Sequence, residues 1–205
     1  LVCWVCLELG LFLSAKQKVE KIQNDLRAGK QKIPIDFASF DYNVHAEYWK
    51  GYNDYLMEQL PVGDVKDTQI LLQSLFGRIP VYDTEGENVG AWNKGMPSGL
   101  YITAFGDSLF NLVAQLIVQE ESFNKYQSSL AQGDDGDITV DIGKEVSLKE
   151  LSELYQYYTG MEVNVQKNWF NPNTTEFLKM VITTTNVYQY QLLYHHRHQT
   201  HPTHH

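Results

Sequence analysis

The stretch Gly133-Asp134-Asp135-Gly136 constrains the fold of this chain more than any other. It joins two strand-like runs, Ser128–Gln132 and Asp137–Ile142. In the second run Ile138, Val140 and Ile142 alternate with polar residues, the period of a half-buried strand. Glycine on either side of the acids allows a tight hairpin turn. The pattern predicts adjacent carboxylates at a hairpin tip, with Asp137 and Asp141 on the solvated face of the strand. Like charges that close repel, and each is partly protonated unless a cation holds them. A divalent cation is the simplest partner, so the tip reads as a metal site that needs further ligands.

Other acids are in reach. In Ile33-Pro34-Ile35-Asp36-Phe37-Ala38-Ser39-Phe40-Asp41, the apolar Ile33, Ile35 and Phe37 alternate. Asp36 therefore leaves the strand on the opposite face. A hard cation such as Mg²⁺ takes oxygen ligands, typically one or two carboxylates with substrate phosphates. Asp36, Asp134 and Asp135 suit a pair of such ions roughly 3.5–4 Å apart, the arrangement for in-line phosphoryl displacement.

A third segment reads Gly95-Met96-Pro97-Ser98-Gly99-Leu100-Tyr101-Ile102-Thr103, followed by Asp107, Ser108 and Asn111. Its first half is a loop by composition. A helix follows, with Leu109, Leu112, Val113, Leu116 and Ile117 on one stripe. The hydroxyls of Ser98 and Thr103, with Asp107 a helical turn on, form a polar group suited to a sugar edge.

In this order Asp36-x4-Asp41, Pro97-Ser98-Gly99-x3-Thr103 and Gly133-Asp134-Asp135 resemble motifs A, B and C of viral RNA-dependent RNA polymerases. Tyr158-Thr159-Gly160-Met161-Glu162-Val163-Asn164-Val165-Gln166-Lys167 is similar to motif D with its lysine, and Glu176-Phe177-Leu178-Lys179 to motif E. The resemblance runs from about Ile33 to Val181. A Gly-Asp-Asp alone is a weak signal, but the ordered set is specific. Arg78-Ile79-Pro80-Val81-Tyr82-Asp83-Thr84-Glu85-Gly86 and Asp107 resemble the partitivirus and picobirnavirus polymerases, whereas Phe177-Leu178-Lys179 resembles those of picornaviruses.

The resemblance implies an α+β fold, the palm of a right-hand polymerase, with an antiparallel sheet backed by helices and partial fingers and thumb. It implies a lead-in of partial fingers over 1–32, a palm over 33–181 and a thumb start over 182–205, where the chain's own His-rich composition predicts a disordered tail. The implied activity is template-directed RNA synthesis by two metal ions, with the chain as given inactive alone. Metal ligands would be Asp36, Asp134, Asp135 and the carbonyl of Phe37, holding Mg²⁺ or, in its place, Mn²⁺. Lys167 would protonate departing pyrophosphate. Asp41, Ser98, Gly99, Thr103 and Asp107 would read the ribose, whose 2′-OH both donates and accepts. Asp107 stands where an asparagine could donate to Asp41; an aspartate does so only protonated or through water. Phe177, Leu178 and Lys179 would form the primer grip. Implied partners are template and nascent RNA, nucleoside triphosphates and a viral capsid protein, in host cytoplasm or virion.

The net charge of −9 is unexpected for a protein that handles RNA. In the resembled family the basic lining comes largely from fingers upstream of motif A, and no basic fingers motif is recognisable here. Cys3 and Cys6 form one Cys-x-x-Cys without a second pair, which argues against a zinc site. Leu1–Leu13 is interrupted by Glu8 and too short to span a membrane, and it lacks the basic start of a signal peptide. His195, His196, His198, His201, His204 and His205 crowd the C-terminus and receive no catalytic role.

The remaining pattern predicts a basic amphipathic helix after Lys16 that ends near Gly29, with Lys16, Lys18, Lys21, Arg27, Lys30 and Lys32 on or near its solvated face. Tyr48, Trp49, Tyr52 and Tyr55 mark a second helix, Gln69–Leu75 another, and Val81–Lys94 a loop or hairpin. Ser147-Leu148-Lys149-Glu150 is a capping box for a helix that ends at Gly160. Strands are expected over Met161–Val165 and Thr175–Val181. Two other functions compete. A Ca²⁺-binding loop starting at Asp134 would need glycine sixth, where Thr139 stands. A reverse transcriptase usually carries an aromatic residue where this chain has Gln132.

Overall fold

In chain order the helices and strands are α1 (Ala15–Arg27), β1 (Gln31–Ile35), α2 (Phe40–Asn43), α3 (Ala46–Gln59), β2 (Ile79–Tyr82), β3 (Asn88–Trp92), α4 (Thr103–Phe123), β4 (Ser129–Gln132), β5 (Asp135–Val140), α5 (Leu148–Thr159), β6 (Thr174–Phe177), β7 (Met180–Thr183) and β8 (Val187–Gln189). This computed structural model describes residues 9–59, 67, 79–92, 95–96, 103–123, 128–140, 147–165 and 171–189. They divide into two units, one of Leu1–Ala38 with Tyr101–His205 and the other of Ser39–Leu100. The expected α+β class, with antiparallel sheets backed by helices, is borne out.

In the first unit Ser14 and Gln17 close a capping box that starts α1. The helix stops where Gly29 takes a left-handed φ of 73°, at the expected end. The chain then enters β1, the outer strand of an antiparallel sheet ordered β1-β5-β4. Ile35 pairs with Gly136, and Gln132 with Asp135, which leaves Gly133-Asp134 as a two-residue turn. Gly133 has the positive φ (60°) of a glycine-led hairpin. Asp134 thus occupies the tip, while Asp135 is already the first residue of β5.

Both faces of this sheet are covered. Ala131 packs with Leu9 and Leu112 on the side of α4. Leu130 packs on the other side with Ile22, Leu26, Phe177 and Ile182, from α1, β6 and β7. That double cover corrects two expectations. Asp137 is not on a solvated face: it is fully buried, its Oδ2 3.3 Å from Lys32 Nζ, and its Oδ1 accepts from Thr175 Oγ1 at 3.3 Å. Nor do all the lysines around α1 face solvent. Lys32 also donates to Thr139 Oγ1 (2.8 Å), and buried Lys18 donates to Gln132 Oε1 (2.5 Å). When helices or strands cover both sides, alternation no longer separates inside from outside.

Helix α5 begins where Ser147 Oγ accepts the Glu150 N–H and ends at Gly160, φ 70°, as expected. The predicted strand Met161–Val165 reduces to one antiparallel bridge, Phe37 to Val163. The predicted strand Thr175–Val181 is instead the hairpin β6–β7, turned at Leu178 and Lys179 with φ of 51° and 58°. Positive φ at both central positions is the type I′ pattern that matches strand twist.

In the second unit Ser39 (φ 50°) leads into α2. Its far end is stitched to the Gly95 loop: Gly95 N–H donates to Val44 O (2.8 Å) and Met96 N–H to Asp41 O (2.6 Å). Helix α3 is the expected aromatic helix, with Trp49 buried and Tyr52 edge-on to it at 6.1 Å. The hairpin β2–β3 matches the expected turn, whose N–H groups at Glu85 and Glu87 donate to Asp83 Oδ1. The predicted helix Gln69–Leu75 lies outside the described residues, as do Cys3, Cys6, Asp141 and the histidine tail.

Candidate metal and nucleotide site

Asp36 follows Ile35, the last paired residue of β1, and Asp135 precedes its partner Gly136, so both acids stand at the same end of the sheet, close enough for their charges to interact. Asp134 is next in the chain, exposed at the tip. Segments nearly a hundred residues apart in sequence are thereby brought together.

The Asp36 end is held from behind. Its carbonyl accepts from Asn164 N–H at 2.8 Å, and Ala38 N–H donates to Glu162 O at 2.8 Å. The Phe37 ring is buried, edge-on to Tyr155 at 5.4 Å, which anchors the strand exit on α5. Asp36 Oδ2 is shielded from solvent.

Charge accumulates at this point. Burial pushes the Asp135 carboxyl up from 3.8 to about 6, and the negative charges of Asp134, Asp36 and Glu176 push the same way. The Lys179 ammonium opposes them. Glu176 is therefore a fourth acid near the site. The sequence placed it within motif E but assigned it no role, because its position depends on how β6 docks.

The hairpin is gripped from α4. Gly133 N–H donates to Ser108 Oγ (2.7 Å), and Asn111 Nδ2 donates to the carbonyls of Gly133 and Asp135 (3.0 Å each). Sequence reasoning assigned the core to Leu109, Leu112, Val113, Leu116 and Ile117. Of these only Leu112 is fully buried, whereas Ser108, Asn111, Gln115 and Gln119 are buried throughout. The spacing of those four polar residues, on one helix face, was the available signal.

Among the other expected site residues, Thr103 opens α4 and Asp107, a turn on, is 5% exposed. Phe177 is core, and Leu178 and Lys179 form the β6–β7 turn. Asp41 belongs to the second unit, in the first turn of α2. Ser98, Gly99 and Lys167 lie outside the described residues. Among the described residues no three acid, histidine or cysteine side chains form a ready-made metal cage. The donor set nevertheless fits a hard divalent cation: every candidate ligand is an oxygen, three of them on carboxylates whose mutual repulsion is relieved by positive charge. No described helix is long and apolar enough to cross a membrane.

A family model described as viral RNA-dependent RNA polymerase matches residues 16–198. No curated protein matches the sequence. Among solved structures, the chain is similar to the RNA-dependent RNA polymerase of a human picobirnavirus, at 19% identity and TM-score 0.68, covering 88% of this chain and 34% of that one. It is equally similar to the insertion-loop deletion mutant of that polymerase, at 19% identity and TM-score 0.69, covering 88% and 35%. The expected likeness to picobirnavirus polymerases thus holds for the fold. This chain spans about a third of the length of those structures.

Proposed function

This chain belongs to the viral RNA-dependent RNA polymerase family, and we propose that it carries the catalytic palm of an enzyme that copies an RNA template from nucleoside triphosphates. The observation that carries the reading is the register that brings Asp36 beside Asp135 and Asp134. The palm would span 33–181, preceded by a fingers lead-in over 1–32 and followed by a thumb start over 182–205.

Asp36, Asp134 and Asp135 would hold Mg²⁺ or Mn²⁺, with the Phe37 carbonyl as a further donor. Bound ions there would acidify the RNA 3′-hydroxyl and neutralise the departing pyrophosphate. The protein's own groups do the rest. The antiparallel pairing fixes the carboxylates before substrate arrives, so little reorganisation is left for the reaction. Thr103 and Asp107 at the start of α4 would recognise the ribose edge. Lys167 would deliver a proton to the leaving group. The turn at Leu178 and Lys179 would support the primer strand, with Phe177 anchoring it in the core. Lys179 also lends positive charge to the acid cluster. The enzyme would act in host cytoplasm or virion.

The test is RNA extension by the full-length polymerase that carries this chain. Asp134→Ala should abolish extension, and ribonucleotides should be used in strong preference to deoxyribonucleotides. Undiminished extension by Asp134→Ala would refute the site; a preference for deoxyribonucleotides would favour a reverse transcriptase.

A further inference from the structure

We infer that Ser108 and Asn111 are positioning residues: from α4 they clamp the backbone on both sides of Asp134 and so set the spacing of the metal-binding carboxylates. The inference rests on reading Asp134 and Asp135 as metal ligands.

The clamp takes hold of the turn itself. Ser108 Oγ accepts the Gly133 N–H at 2.7 Å and donates to Ala104 O at 2.6 Å, which fixes the direction of its proton. Asn111 spends both amide hydrogens on the hairpin, one on Gly133 O and one on Asp135 O, each at 3.0 Å. These carbonyls flank Asp134 in sequence. Asn111 is oriented in turn, because its Oδ1 accepts from Gln115 Nε2 at 2.8 Å. Gln115 also donates to Leu130 O (3.3 Å), and Gln119 to Ser129 Oγ (2.5 Å).

Ser108, Asn111, Gln115 and Gln119 are at most 1% exposed. Residues three and four apart share a helix face, so they form one polar ladder along β4 and into the turn. Buried amides cost free energy unless hydrogen-bonded. A helix needing only adhesion to the sheet would do better with leucines. Directional donors instead fix where the turn lies. Gly136 lets the helix come this close: a Cβ there would meet Gln115 Nε2 at 2.4 Å and Asn111 Oδ1 at 3.0 Å. Ions that share ligands tolerate little change in carboxylate spacing, and groups behind metal ligands typically hold 10–100-fold of metal affinity.

The experiment measures Mn²⁺ binding to the full-length polymerase by electron paramagnetic resonance without RNA, alongside thermal unfolding. Asn111→Asp keeps the acceptor for Gln115 and loses both donors to the turn. Ser108→Ala removes the acceptor for Gly133 together with the bond to Ala104 O within α4, and leaves Asn111 in place. Gln119→Met cuts the ladder at the rung farthest from the turn. The expected result is about 10-fold or more weaker Mn²⁺ binding in the first two and unchanged binding in Gln119→Met, even where its Tm falls as far. Wild-type affinity in Asn111→Asp and Ser108→Ala overturns the inference, as does equal weakening in Gln119→Met. Should Asn111→Asp not fold, Ser108→Ala decides. A wild-type polymerase that binds no Mn²⁺ sinks the metal reading and the inference with it. Binding lost in Asp134→Ala but kept in Asn111→Asp and Ser108→Ala sinks the inference alone.

Discussion

Lys32 and Asp137 form an ion pair of 3.3 Å in which neither side chain is exposed to solvent. Lys32 projects from β1 and Asp137 from β5, on the same face as Asp36 and Asp135. Burial pushes the Asp137 carboxyl up to about 6, and the Lys32 ammonium keeps it from rising further. Thr139 and Thr175 supply additional hydrogen bonds. The pair stands directly behind the candidate metal ligands.

Removing one partner strands a charge. Lys32→Met should destabilise the chain by about 3–5 kcal/mol, because it leaves the buried Asp137 carboxylate uncompensated. Lys32→Met with Asp137→Leu should recover much of that loss, since a well-packed apolar pair avoids the desolvation cost. Thermal or urea unfolding measures both. A double variant no better than the single would contradict this account.

Asp135 gives the site a pH signature. Its carboxyl titrates near 3.8 when unfolded and at about 6 when folded. Between those values the folded state binds more protons than the unfolded one, so stability falls as pH rises through the window. Without divalent ions, Tm from about pH 4 to about pH 7 should therefore decline more in wild type than in Asp135→Asn. Saturating Mn²⁺ at neutral pH should raise wild-type Tm more than that of the variant. Parallel behaviour of the two proteins would remove Asp135 from the site.

Gly136 is required for space, not for backbone freedom. An added Cβ would meet Gln115 Nε2 at 2.4 Å and Asn111 Oδ1 at 3.0 Å. Gly136→Ala should cost about 1–3 kcal/mol of stability, the usual range for overpacking. Adding Gln115→Ala should restore part of that loss by freeing the volume. Double-mutant unfolding measurements would show strict additivity if the two residues did not compete for one space.

The local signals in the sequence were strong where a single element decided the outcome. The turn at Gly133, the end of α1 at Gly29, and the boundaries of α5 at Ser147 and Gly160 follow from chemistry within a few residues. Burial on both faces of β5 did not follow. Asp137 alternates with Ile138 and Val140 in the manner of an exposed position, and only the docking of α1 and β6 reverses that reading. The polar ladder on α4 was hidden for a related reason. The partners of Ser108 and Asn111 are backbone groups of the distant hairpin turn, which no side-chain pattern announces. The turn at Leu178 and Lys179 carries no glycine, so nothing in its composition marks the left-handed backbone.

The central claim is that Asp36 and the hairpin acids share bound cations. Anomalous scattering from crystals of the full-length polymerase soaked in Mn²⁺ tests it most directly. The account predicts a manganese site with carboxylate oxygens of Asp36 and of Asp134 or Asp135 within about 2.2 Å. Manganese bound by the hairpin acids alone, with Asp36 turned away from it, would contradict the account.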